Sequence, residues 1–201
     1  MKEFPTVISF FTKDTPYEKE ILRLVESCKN FGVTSQVEGV GSFGSWELNC
    51  AFKPFFILKK LEELKKPLLW IDADGAFVNF PRWEKAFEGD FSVRIHENLV
   101  KEHPSKVISS TIFVRPTSAA RQLVRLWAME CQKQLLDAGR TGEFWDQVAL
   151  RDALFSKGHQ AVVHPLPLAY AKIFDHPYDL HEVANPIIEH YQASRKFKNL
   201  V

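Results

Sequence analysis

Asp72 and Asp74 are separated by a single residue and follow directly on an apolar run, Leu68-Leu69-Trp70-Ile71. An unpaired carboxylate is prohibitively expensive to bury in a sheet. A strand made of this run therefore emerges at its carboxyl end where the acids begin. In an open α/β sheet that end is where ligands bind. Two acids so spaced suit one hard divalent cation, Mg²⁺ or Mn²⁺, whose shell phosphate oxygens complete. Without a cation the carboxylates repel and one pKa rises. The same residues are also good turn material, because Asp caps its own backbone and Gly75 tolerates positive φ. Residue types alone leave both readings standing.

Other groups can do chemistry too. Lys53 heads an expected helix and can reach an anion, or serve as an ordinary solvated or capping lysine. Asp146 and Gln147 fall near the start of another helix, where an acid is also favoured by the helix dipole. As a functional group, Asp146 is the first candidate for a carboxylate base. His164, at the end of an expected strand, is a second-rank metal ligand.

The elements that must position these groups alternate. A strand at residues 7–11 leads into Thr15-Pro16-Tyr17-Glu18, with Thr15 as N-cap, Pro16 at N1 and Glu18 at N3 of a capping box. The helix that follows buries Ile21, Leu24, Val25 and Cys28, and Asn30-Phe31-Gly32 ends it. A second strand spans 35–40. Gly39, Gly41 and Gly44 then make a flexible loop, and Trp46 within it is a better ligand candidate than Trp127, whose helical spacing places it in the core. A helix over 52–64 and a break at Pro67 lead to the acid-bearing strand. Such alternation is the signature of a parallel, helix-covered sheet. Beyond it come one helical turn at 82–87, strands at 91–95 and 107–114, and a polar connection between them. A helix over 117–136 is stopped by Asp137-Ala138-Gly139, another spans 143–155, and a last strand spans 161–164. The tail from Pro165 shows little periodicity.

Composition narrows the function. With 26 Lys and Arg against 25 Asp and Glu, the net charge of +1 argues against a general nucleic-acid binder. Hydrophobic residues at 45% and charged residues at 25% are globular composition, and 201 residues suit one domain. Cys28, Cys50 and Cys131 are too scattered for a disulfide framework or zinc knuckle, and Cys28 and Cys131 fall on apolar helix faces. No apolar h-region opens the chain and no run reaches ~18 apolar residues, so no membrane span is expected. Cytoplasm or another reducing, soluble compartment is the simplest expectation.

Four segments together resemble the GT-A class of glycosyltransferases, the nucleotide-diphospho-sugar transferases with a DxD motif. They are Ser9-Phe10-Phe11-Thr12 with Tyr17-Glu18; the stretch from Gly44 to Pro54; Leu69-Trp70-Ile71-Asp72-Ala73-Asp74; and Ser110 to Pro116 followed by the Trp127 helix and Phe144-Trp145-Asp146-Gln147. The resemblance implies an α/β, Rossmann-type three-layer fold with a mostly parallel central sheet and helices on both faces. It implies one domain over 1–201, with a donor-binding half at about 1–80 and an acceptor-side half at about 81–201. Asp72 and Asp74 would hold Mn²⁺ or Mg²⁺ against the donor diphosphate, and His190 matches the histidine that often completes the site. Imidazole favours Mn²⁺.

By the same resemblance Phe11, Thr12, Tyr17, Trp46, Lys53 and Asp72 would contact the donor. Ser194, Arg195 and Lys196 would neutralise its diphosphate, and Asp146 with Gln147 would face the anomeric carbon or acceptor. The implied reaction is sugar transfer from a nucleotide-diphospho-sugar, UDP-linked on class frequency, to a carbohydrate or glycoconjugate hydroxyl. A monomer or weak homo-oligomer is expected. Two alternatives stand beside it. One is a non-catalytic nucleotide-sugar-binding module of a larger protein. The other is a haloacid-dehalogenase-type phosphatase with Asp72 as nucleophile, although that motif normally sits on a first strand.

Overall fold

Strand β1 (Thr6–Thr12), helix α1 (Tyr17–Asn30) and strand β2 (Ser35–Val40) open the fold, which a computed structural model describes for residues 3–141 and 144–200. Helices α2 (Trp46–Ala51) and α3 (Lys53–Leu64) run almost end to end into β3 (Leu68–Ile71) and the short β4 (Gly75–Phe77). Strands β5 (Phe91–Ile95) and β6 (Val107–Val114) precede helices α4 (Ser118–Thr141) and α5 (Asp146–Leu154). Strands β7 (Val163–Pro165) and β8 (Lys172–Ile173), helix α6 (Pro177–Glu182), strand β9 (Ile188–His190) and helix α7 (Ser194–Phe197) follow.

The main sheet has the order β2-β1-β3-β6-β5-β7. Strands β2, β1 and β3 are parallel, β6 is antiparallel to both its neighbours, and β7 is parallel to β5, so three of five pairings are parallel. Side chains alternate across it with the period of two that a strand imposes. Ile8, Phe10, Leu68, Trp70, Ile112 and Val114 face one layer; Val7, Leu69, Ile71 and Phe113 face the other. Residues of α3, α4 and α5, among them Ile57, Trp127 and Leu150, fill the first layer, and α1 fills the second through Ile21, Leu24 and Cys28. Burial on both faces explains why β3, Leu68-Leu69-Trp70-Ile71, is apolar without a break.

The structure corrects several expectations. The glycine-flanked segment is not all loop: Ser45 Oγ accepts from the Leu48 N–H at 3.2 Å and caps α2, so Trp46 is helical. Glu18 reaches back to the Asp14 N–H at 3.0 Å rather than to Thr15, while Thr15 Oγ1 accepts from Tyr17 N at 3.3 Å. Val25 is 39% exposed because the buried face of α1 runs through residues 21, 24 and 28. Helix α4 continues to Thr141, past Gly139, since glycine inside a helix costs only about 1 kcal/mol. Helix α5 begins at Asp146; Glu143, its expected first residue, lies outside the described residues.

The aperiodic tail is ordered and builds a second sheet, β4-β9-β8. Its strands are two or three residues long, too short to show a period. A buried ion pair holds the tail to the main sheet. Arg94 Nη1 donates to Asp179 Oδ2 at 2.6 Å and to the Ala171 carbonyl at 2.7 Å, and Nη2 donates to Oδ1 at 2.5 Å. Burial alone would raise the Asp179 pKa, but the Arg94 guanidinium and the Ile173 N–H outweigh it and hold the carboxyl below its ordinary range. Asp179→Ala strands a buried guanidinium and is expected to cost about 3–5 kcal/mol in urea unfolding at neutral pH. A carboxyl depressed on folding contributes stability that is complete above its unfolded pKa, ~3.9, and lost as pH falls through the lower folded value. The gap between wild type and variant should therefore narrow in acid.

Candidate active site

At the end of β3 the Gly75 N–H donates to the Asp72 carbonyl at 2.8 Å, closing a turn over Ala73 and Asp74. The turn expected of these residues is therefore formed. Gly75 is not at positive φ. Its reason is space: a Cβ there would lie 2.5 Å from Ile71 Cγ2 and 3.0 Å from His190 Cε1. Glycine lets β4 pass β9 with Gly75 and His190 as register partners. Gly75→Ala should displace the His190 ring, lowering both thermal stability and any stabilisation by added Mn²⁺, which melting curves with and without the ion will read.

His190 is fully buried, and its Nε2 lies 2.8 Å from Thr111 Oγ1. Its Nδ1 makes no hydrogen bond and sits 3.8 Å from Asp74 Oδ1. The ring is thus anchored through Nε2 and presents an unpaired Nδ1 to a carboxylate. Asp74 Oδ2 accepts from the Ala193 N–H at 2.7 Å. Burial pushes the Asp74 pKa up, but His190 and that N–H outweigh it and hold the carboxyl below its ordinary range. Asp72 goes the other way: burial raises it, and the Asp74 and Asp146 charges add to the rise despite Lys53. Among the described residues, no three His, Cys, Asp or Glu side chains approach closely enough to hold an ion by themselves. Asp72 Oδ1 takes hydrogen bonds from Trp70 Nε1 at 2.8 Å and Lys53 Nζ at 2.9 Å. That engagement, after the third strand of the chain, also leaves Asp72 poorly placed as a phosphatase nucleophile.

Lys53 is neither solvated nor a cap. It is 5% exposed, and its Nζ bridges Asp72 Oδ1 at 2.9 Å and Asp146 Oδ2 at 2.8 Å. Burial works against its charge, but the two facing carboxylates outweigh it and raise the ammonium pKa above its ordinary value. Ser109 Oγ donates to the same Asp146 oxygen at 2.8 Å. One buried cation thus ties the turn after β3 to the first residue of α5.

These groups open into a cleft at the carboxyl ends of β1 and β3. Phe11, Thr12, Tyr17, Trp46, Lys53, Asp72, Asp74, Asp146 and Ser194 all line it. His190 stands behind Asp74. Three expected residues are elsewhere. Gln147 Nε2 donates outward to the Pro104 carbonyl at 3.2 Å, Arg195 pairs with Asp175 at 2.5 Å, and Lys196 is exposed. His164 lies on the edge strand β7, remote from β3.

The basic side chain at the cleft rim is instead Lys198, 4.6 Å from the Trp46 ring centre and 3.1 Å from Glu47. It follows Ser194 by one helical turn. Asn49 and Cys50 also line the cleft; Asn49 Nδ2 is buried with no partner. The spacing 46, 49, 50, 53 is one helical face, a signal present in the sequence. The enclosed part of the cleft is about 140 Å³, below the ~300–1,000 Å³ of a whole small-molecule site, so a larger ligand extends across the open mouth.

No protein-family model and no curated protein sequence matches the chain. Solved structures do. A glycosyltransferase involved in the glycosylation of the major capsid of PBCV-1 superposes with a TM-score of 0.66 at 15% identity, over 94% of this chain and 93% of that one. The glycosyltransferase GlyE in Streptococcus pneumoniae TIGR4 superposes with a TM-score of 0.53 at 14% identity, and this chain covers 55% of its length. The fold is that of the GT-A-type glycosyltransferases.

Proposed function

We propose that this chain is a divalent-ion-dependent glycosyltransferase that moves a sugar from a nucleotide-diphospho-sugar to an acceptor hydroxyl. The observation that carries the reading is the orphaned Nδ1 of the buried His190 facing Asp74, which lines the aromatic-rich cleft. Asp74, His190 and the remaining oxygen of Asp72 are the groups that would hold Mn²⁺ or Mg²⁺. Since they do not close a shell on their own, diphosphate oxygens fit as the missing ligands. A bound ion would supply positive charge to the departing diphosphate.

The chain's own residues do the rest. Tyr17 and Trp46 offer rings to the base or ribose, and Asn49 Nδ2 offers an unpaired donor. Lys198 and the Ser194 hydroxyl stand where a diphosphate crosses the rim. In transfer, the acceptor oxygen bonds to the anomeric carbon as that carbon's bond to phosphate oxygen breaks. The bonding pair leaves on the diphosphate, and the hydroxyl proton passes to the leaving phosphate or to water. Asp146 lines the cleft with its Oδ2 already engaged by Lys53 and Ser109; a carboxylate held there suits stabilising positive charge at the anomeric centre.

Release of nucleoside diphosphate from a panel of nucleotide-sugars, UDP-sugars first, with and without Mn²⁺ tests this. Turnover that requires the ion is expected. Tight nucleotide-sugar binding with no turnover on any donor would favour the binding module instead.

A further inference from the structure

A second concavity lies on the same edge of the sheet, beyond the carboxyl ends of β5 and β7. It measures about 770 Å³, within the ~300–1,000 Å³ of small-molecule sites. His96, His103, His176, Asn98 and Tyr178 bring polar groups and one aromatic ring to it, over a floor that includes Pro165 and Leu166. Glu97 is the acid in its described lining, which contains no lysine or arginine.

The groove is held in shape from three sides. Lys106 Nζ gathers the carbonyls of His96, Glu97 and Leu99 at 2.9, 3.2 and 2.7 Å, fixing the loop that forms one wall. The opposite wall, at the start of α6, is locked to β5 by the buried Arg94–Asp179 pair. Gln147 and Arg151 hold the Pro104 and Glu102 carbonyls, so the loop is fastened to α5, whose first residue lines the cleft. A preformed site of this kind loses little on ordering when a ligand binds.

Its chemistry is that of hydroxyl recognition. The Tyr178 ring is 42% exposed and 6.0 Å from the His96 ring, a platform for the C–H face of a pyranose. His103 Nδ1 accepts from the Ser105 N–H at 3.0 Å, so the proton of a neutral ring sits on Nε2 as a donor. Burial and the nearby Arg94 push the His96 pKa down to about 4, so at neutral pH that imidazole is uncharged and both donates and accepts. An anionic ligand finds no permanent cation in this lining.

We propose that the groove docks an uncharged saccharide, at least a disaccharide, as the acceptor, stacked on Tyr178 and hydrogen-bonded by His96, His103 and His176. The acceptor role rests on the transferase reading above; the saccharide site does not.

Imidazole and indole NMR resonances of the full chain, titrated with lactose, maltose, cellobiose and the anionic 3′-sialyllactose, test it. At least one neutral disaccharide should shift the His96, His103 and His176 signals. Tyr178→Ala should weaken that binding by about tenfold and Tyr178→Phe should preserve it, while UDP with Mn²⁺ binds all three proteins alike. Shifts confined to the Trp46 indole, binding of sialyllactose alone, no response to any neutral sugar, or full affinity in Tyr178→Ala would each overturn the proposal. The two readings fail separately: a chain that hydrolyses UDP-sugars but leaves the imidazoles unmoved loses only the groove, and one that binds disaccharides there but no nucleotide-sugar loses only the transferase.

Discussion

Asp74→Ala is expected to lower Mn²⁺-dependent release of nucleoside diphosphate by roughly 10²–10³-fold, the scale on which loss of a single transition-state charge stabiliser is felt. Asp74 does two things at once. Oδ1 faces the orphaned His190 nitrogen at 3.8 Å, and Oδ2 holds the Ala193 N–H at 2.7 Å. The second bond fixes the segment that carries Ser194 and Lys198 to the rim. Asp74→Asn separates the roles, because its amide oxygen can still accept the backbone bond while its charge is gone. The asparagine variant should keep near-wild-type stability yet lose ion-dependent turnover and Mn²⁺ binding by calorimetry. If it binds and turns over like wild type, Asp74 is only a turn residue.

Lys53→Met should produce the largest stability loss in the cleft. The substitution removes the cation between Asp72 and Asp146, whose side chains are 32% and 11% exposed, and leaves Ser109 as the remaining partner of Asp146 Oδ2. Breaking a buried pair on one side costs about 3–5 kcal/mol; the wetter Asp72 places this case toward the lower end. Mn²⁺ should stabilise Lys53→Met more than wild type, since an added ion restores positive charge beside Asp72. Thermal melts with and without the ion read both effects. A variant as stable as wild type in the ion-free state would show that the bridge contributes nothing net.

Much of this was legible in the residues. The run 68–71 fixes a strand because burial on both faces demands unbroken apolarity, and the acids mark its end. The 117–136 pattern marks a helix because Leu123, Val124, Trp127 and Cys131 recur on one face. What escaped did so for physical reasons. Gly41 and Gly44 mask a helix that starts two residues after the second of them, and with it the face carrying Asn49 and Cys50. Strands of two or three residues carry no period, so β8 and β9 could not be read. His190 was reached only through resemblance to a family. Choosing among Arg195, Lys196 and Lys198 needed helical phase: Lys198 lies one turn after Ser194, whereas Arg195 turns away to Asp175.

The central claim is that Asp74 and His190 meet on a divalent ion shared with a donor diphosphate. Anomalous diffraction from a crystal grown with Mn²⁺ and UDP measures it most directly. The account predicts one strong manganese peak between Asp74 and His190, with direct ligands at roughly 2.0–2.3 Å, and diphosphate oxygens in its shell. Diphosphate bound in the cleft with no manganese beside His190, or manganese bound elsewhere, would contradict it.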